Sequence, residues 1–238
     1  MIAANRLSML TIGILLSLAA AAWYLAIVSP WSMAMMEISA PIYMATWVMM
    51  LVAMMFPAVA PVVTTFATVS RARNAASPTV PAFVAGYLFI WTAAGLIPLT
   101  LYLTTRGAVA GMSATSLGAT AIGAVLFVAG VYQFTAWKAT CLRACRSPFG
   151  IVMNHDFRTG AVGSFRAGVS HGAFCLGCCW ALMAVLTVVG LMSLPWMAVL
   201  TVIFFAEKNW RHGPGLARVV GATASLAGLT LVAWSLLL

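Results

Sequence analysis

The string His171-Gly172-Ala173-Phe174-Cys175-Leu176-Gly177-Cys178-Cys179-Trp180 sets one imidazole and three thiols close together in the chain. On a helix turning about 100° per residue, His171, Cys175 and Cys178 fall within an arc of about 60°, with Cys179 beside it. One helical face thus carries four ligands of the type that bind Cu(I) or zinc. A single buried cysteine usually packs as a small hydrophobe. Three on one stripe with a histidine point instead to a metal. Gly172 and Gly177 would let a second helix approach closely, which a shared site requires.

A second group is Lys138-Ala139-Thr140-Cys141-Leu142-Arg143-Ala144-Cys145-Arg146-Ser147-Pro148. Cys141 and Cys145 are four residues apart and share one side of any helix, which Pro148 would stop. Lys138, Arg143 and Arg146 are placed to favour thiolates. The spacing predicts that Cys141 or Cys145 meets the His171, Cys175, Cys178 and Cys179 face.

Methionine supplies further soft donors. Met33, Met35 and Met36 precede Glu37, and Met44, Met49, Met50, Met54 and Met55 follow. Trp47, Met50, Met54 and Pro57 share a helical face, and Pro57 and Pro61 each remove a backbone donor, predicting a kinked helix with a thioether stripe. Methionine is also a flexible core filler, so the stripe says less than the cysteines. Glu207-Lys208 adds a carboxylate near a membrane boundary, a functional candidate by default. Adjacent residues cannot face each other on a helix, so the two should have different partners. His155 and His212 stand among charges, as solvated side chains do. No Walker loop, GxGxxG, HExxH, GxSxG or calcium loop is present. ATP hydrolysis and the common hydrolase chemistries are therefore not expected.

The elements that position these groups must be membrane helices. Of 238 residues, 64% are hydrophobic and 6% charged, and the mean hydropathy is +1.07. Twelve Lys and Arg with three Asp and Glu cannot cover a water-soluble domain of this size. The net charge of +9 is scattered through short gaps, not gathered into a patch with interleaved aromatics, which argues against a nucleic-acid partner. Seven apolar runs approach the length that crosses a bilayer: Leu7 to Val28, Ile42 to Thr65, Ala82 to Thr104, Ser116 to Trp137, Val169 to Met192, the short Leu194 to Ala206, and Leu216 to Leu238. With the N-terminus inside, every Lys and Arg except Arg106 falls on the cytoplasmic side, as the positive-inside rule requires. Arg6, an apolar run and Ala19 to Ala22 also resemble a signal peptide, but the run is long for one. The expectation is an all-α, polytopic transmembrane helix bundle of about seven spans, N-in and C-out, forming a single domain over residues 1–238. All five cysteines and His171 would then lie at the cytoplasmic face, where thiols stay reduced.

Several strings resemble a known family, the bacterial predicted metal-binding integral membrane proteins, a family without an established activity. They are Trp47-Val-Met-Met50, Ala53-Met54-Met55-Phe-Pro57 with Pro61, Lys138, Cys141-Leu142, Cys145-Arg146-Ser147-Pro148, His171-Gly172, Cys175, Gly177-Cys178-Cys179-Trp180, Met183, Trp196-Met197 and Glu207-Lys208. One departure is Ala136, where that family more often has proline after the threonine, which puts the local bend in question. The resemblance implies a multi-pass metal-binding protein of the bacterial inner membrane.

Two functional readings follow. The first is a protein handling Cu(I), a transporter or membrane acceptor linking the Met-rich outer side to the Cys/His site. Soft donors with few carboxylates favour Cu(I) over magnesium, calcium or manganese, with zinc the main competitor. Its ligand candidates are Cys141, Cys145, His171, Cys175, Cys178, Cys179, Met50, Met54, Met33, Met35, Met36 and Glu207. The second is a redox or accessory subunit that uses its cysteines, or only its helices, to anchor a partner protein or membrane complex.

Overall fold

The computed structural model describes residues 2–28, 39–73, 78–109, 116–147, 160–190 and 193–237. Among them it is all-helical: α1 (Ile2–Val28), α2 (Ala40–Ala72), α3 (Thr79–Val109), α4 (Ser116–Tyr132), α5 (Ala136–Arg146), α6 (Gly160–Val189), α7 (Leu194–Asn209) and α8 (Gly213–Leu237). Helices follow from the apolar composition, because a backbone in lipid must satisfy its own hydrogen bonds. Among the described residues, five helices are long and apolar enough to cross a membrane: α1, α2, α3, α6 and α8. The bent pair α4 and α5 makes a sixth if counted as one span. The seventh expected run is α7, whose 16 residues reach about 24 Å against a hydrocarbon core of about 30 Å.

Directions can be read from the contacts. Ser8 meets Thr68, and Trp23 meets Ala53, so α1 and α2 are antiparallel. Phe66 stacks near Phe83 and Trp47 bonds to the Trp91 carbonyl, so α2 and α3 are antiparallel too. Met55 and Ala58 of α2 meet Lys208 and Asn209, so the end of α7 packs on the middle of α2. Thr120 meets Ser235 while Gly130 meets Gly221, so α4 and α8 are antiparallel. Gly168 and Gly172 let α6 lie directly on the backbone of α3 around Phe83 and Tyr87.

Three local details differ from the sequence expectation. The expected fourth span, Ser116 to Trp137, breaks at 133–135 and turns by 67° into α5. The bend forms without proline: Thr135 adopts an extended backbone and its hydroxyl caps α5 by accepting from Lys138 N at 3.2 Å. The expected fifth span, Val169 to Met192, begins earlier, at Gly160, because the small residues ahead of it continue the helix. The cysteine stripe consequently sits near the middle of α6, with Cys175 about 22 Å from its first residue. Third, the gap between the expected fourth and fifth spans is itself helical over 138–146 and 160–168.

Proline is accommodated in α2 rather than ending it. Pro57 deprives the Ala53 carbonyl of its normal donor, and the Trp23 indole supplies one at 3.1 Å. The Pro61 carbonyl accepts from Thr64 and Thr65 at 2.9 Å each. At the other end of the bundle Gly190, with φ of 118°, takes the chain out of α6, a conformation that a side chain would resist.

Candidate metal centre

The cysteines converge. Cys178 Sγ lies 3.7 Å from Cys145 Sγ and 3.4 Å from Cys179 Sγ, and its thiol donates to the Cys175 carbonyl at 3.1 Å. Cys175 receives the Lys208 ammonium at 2.9 Å and sits 3.1 Å from the Tyr87 hydroxyl. All five cysteines are free thiols and buried. The short arm α5 thus brings Cys145 onto the α6 stripe, as the CxxxC spacing anticipates. Cys141 packs differently, with its sulfur against Gly177, where an added Cβ would stand 2.7 Å from it.

Glycine permits both approaches. Gly177 admits α5, and Gly172 lies against α3, where an added Cβ would be 3.2 Å from the Tyr87 carbonyl oxygen. Tyr132, at the end of α4, reaches across to donate to the Gly177 carbonyl at 2.5 Å.

The surrounding charges are arranged otherwise than the sequence suggests. Lys138, Arg143 and Arg146 were expected beside the thiols; the Lys138 charge does act on Cys141, but each of the three also has another partner. Lys138 pairs with Glu207 at 2.7 Å. Arg146 donates to the carbonyls of Glu207 and Trp210 at 2.5 and 2.7 Å. Arg143 is exposed and bonds to Thr140. The cation at the cysteines is Lys208, which also points at Met55 Sδ, 3.8 Å away. Glu207 and Lys208 therefore do have separate partners, one on α5 and one on α6.

The remaining candidates are distributed around this core. His171 is buried against the rings of Phe83 and Tyr87, each 6.0 Å away between centroids, and its Nδ1 has no hydrogen-bond partner. Met50 and Met54 are wholly buried on α2, whereas the α2 thioether that reaches the cluster, through Lys208, is Met55. Glu207 directs Oε2 to Lys138 and leaves Oε1 unpartnered. Met33, Met35 and Met36 lie outside the described residues. Sequence reasoning missed Tyr87 and the role of Lys208, and named Met55 without placing it among the ligand candidates. The one available signal was a lysine at the end of a short apolar helix, adjacent to a carboxylate.

The chemistry of this donor set suits a soft ion. Two sulfurs sharing an ion at about 2.3 Å in a tetrahedral arrangement are about 3.8 Å apart, close to the separation of Cys145 and Cys178. Among the described residues, however, no three His, Cys, Asp or Glu side chains are arranged to hold one ion. Cys178 nonetheless stands within that separation of both Cys145 and Cys179, so the thiols form a contiguous cluster rather than an isolated pair.

Comparison with known proteins places this geometry. No curated protein and no solved structure matches the chain. A family model described as PpoB2, copper chaperone, matches residues 44–231. That stretch contains all five cysteines, His171, Tyr87, Met50, Met54, Met55, Lys138, Glu207 and Lys208. The strings that resemble predicted metal-binding membrane proteins also fall within it, and metal handling is what the two descriptions share. The chain, with its thiols gathered by helices apolar enough to cross a membrane, belongs to the PpoB2 family of copper chaperones.

Proposed function

We propose that this protein is a membrane-embedded acceptor for Cu(I), holding the ion as cargo on thiols of the α5 and α6 cluster and releasing it to a partner. The observation that carries this reading is the contact of Cys145 with Cys178, and of Cys178 with Cys179, in a buried site with no carboxylate among those sulfurs. Cu(I) is a soft ion that is stable with few sulfur ligands, whereas structural zinc normally takes four. Loading would replace thiol-to-thiol hydrogen bonds by sulfur-to-metal bonds and release protons. Few ligands also suit handover, since an incoming donor can enter before an old one leaves.

The test is Cu(I) titration of the reduced protein in detergent against a competing chromophoric chelator, with zinc measured in parallel. Tight Cu(I) binding that weakens strongly in Cys175→Ser or Cys179→Ser supports the reading. Stoichiometric zinc without Cu(I) binding, or full binding by a protein lacking Cys175, Cys178 and Cys179, would rule it out. Movement across the membrane is the further part of the proposal. Removing Met33, Met35 and Met36 together is expected to slow copper uptake into vesicles while leaving equilibrium binding nearly intact.

A further inference from the structure

Lys208 is buried, and its Nζ is directed at two sulfurs, Cys175 Sγ at 2.9 Å and Met55 Sδ at 3.8 Å. The neighbouring elements leave that charge in place. Glu207, the adjacent carboxylate, is bound by Lys138 at 2.7 Å. From α3 comes the Tyr87 hydroxyl on Cys175, and from α7 itself the Phe204 ring, 6.0 Å from Nζ. A fixed ammonium in direct contact with a thiol favours the thiolate, the form that binds metal, and at the same time repels a cation held there. The repulsion grows with the charge of the ion, so it acts on a divalent cation about twice as strongly as on a monovalent one.

We propose that Lys208 is a specificity determinant, whose charge beside Cys175 makes the thiol cluster favour a monovalent soft cation over a divalent one. The inference rests on the Cu(I) reading and adds the means of discrimination. Two thiolates, one monovalent cation and the Lys208 ammonium sum to zero charge. With a divalent ion the same set keeps a net positive charge in a buried site, which is costly. At separations of about 5 Å and an effective dielectric of about 20, one extra unit of metal charge against an ammonium changes affinity by roughly 10- to 100-fold or more.

The experiment compares Cu(I) and Zn(II) affinities of the full-length protein in detergent for wild type, Lys208→Met and Lys208→Arg. The expected result is that Lys208→Met raises Zn(II) affinity relative to Cu(I) by roughly 10- to 100-fold, while Lys208→Arg keeps the wild-type ratio. Lys208→Gln serves the same comparison if the Met variant is not recovered folded. An unchanged ratio in a neutral variant that still binds Cu(I) would overturn the proposal. So would loss of Cu(I) binding in the neutral variants and in Lys208→Arg alike, since the amine would then be a ligand. Absence of Cu(I) binding in the wild type would instead defeat the underlying copper reading, a result distinct from either.

Discussion

Lys138 and Glu207 are 69 residues apart in the chain, yet their side chains meet at 2.7 Å with each only 1% exposed. This pair ties α5 to α7 immediately beside the cysteine cluster. Removing one partner from a buried ion pair strands the other charge, at a cost of about 3–5 kcal/mol. Glu207→Leu and Lys138→Met should each lower the unfolding temperature in detergent. The double variant Lys138→Met with Glu207→Leu should recover much of the loss. Thermal unfolding of all three variants checks the coupling, and additive losses would show that the pair does not act as a unit.

The cysteines should not contribute equally to copper affinity. Cys178 touches both Cys145 and Cys179, so Cys178→Ser is expected to weaken Cu(I) binding by about tenfold or more, or about 1.4 kcal/mol. Cys141→Ser should change it less, because that sulfur lies against Gly177. His171→Ala should also have the smaller effect, with its ring held between Phe83 and Tyr87. Chelator competition on the three purified variants gives the ranking. Equal losses would point to a site that includes all of them.

Gly177 is a spacer for α5. In Gly177→Ala the new methyl would stand 2.7 Å from the Cys141 sulfur, and overpacking of this kind costs about 1–3 kcal/mol. Adding Cys141→Ala should relieve the clash and restore stability. Melting curves of the single and double variants read this directly, and failure of the second change to rescue the first would mean the strain lies elsewhere.

The charges support an N-in, C-out orientation, since every Lys and Arg except Arg106 falls on one side of the expected spans. A reporter fused after Leu238 should read as external and one fused at the N-terminus as cytoplasmic. Both reporters on one side would mean that α7 does not complete a crossing.

The apolar runs made the helices legible, and the 100° stripe made the α6 thiols legible, since both signals are local. The break at 133–135 was hidden because its flanks stay apolar and its cap is one threonine hydroxyl. The start of α6 at Gly160 was missed because small residues with a few polar neighbours read equally as loop. The charge of Lys138 does act on Cys141, its neighbour in sequence, but its bonded partner is a carboxylate that comes from α7. Lys208, Tyr87 and Met55 reach the cluster across separations of 33, 88 and 153 residues between bonded partners. Periodicity within one helix carries no information about such meetings.

The 67° turn between α4 and α5 makes the sulfur spacing an angular quantity. Cys178 and Cys179 belong to a continuous 30-residue helix, whereas Cys145 sits near the tip of an 11-residue arm hinged at Thr135. Over a lever of about 15 Å, a rotation of about 5° displaces the tip by about 1.3 Å, comparable with the difference between a bonded and an open sulfur pair. Tyr132 on the Gly177 carbonyl holds the pivot, and Arg146 on the carbonyls of Glu207 and Trp210 holds the tip. Residues that never touch an ion thereby set the aperture of the thiol jaw.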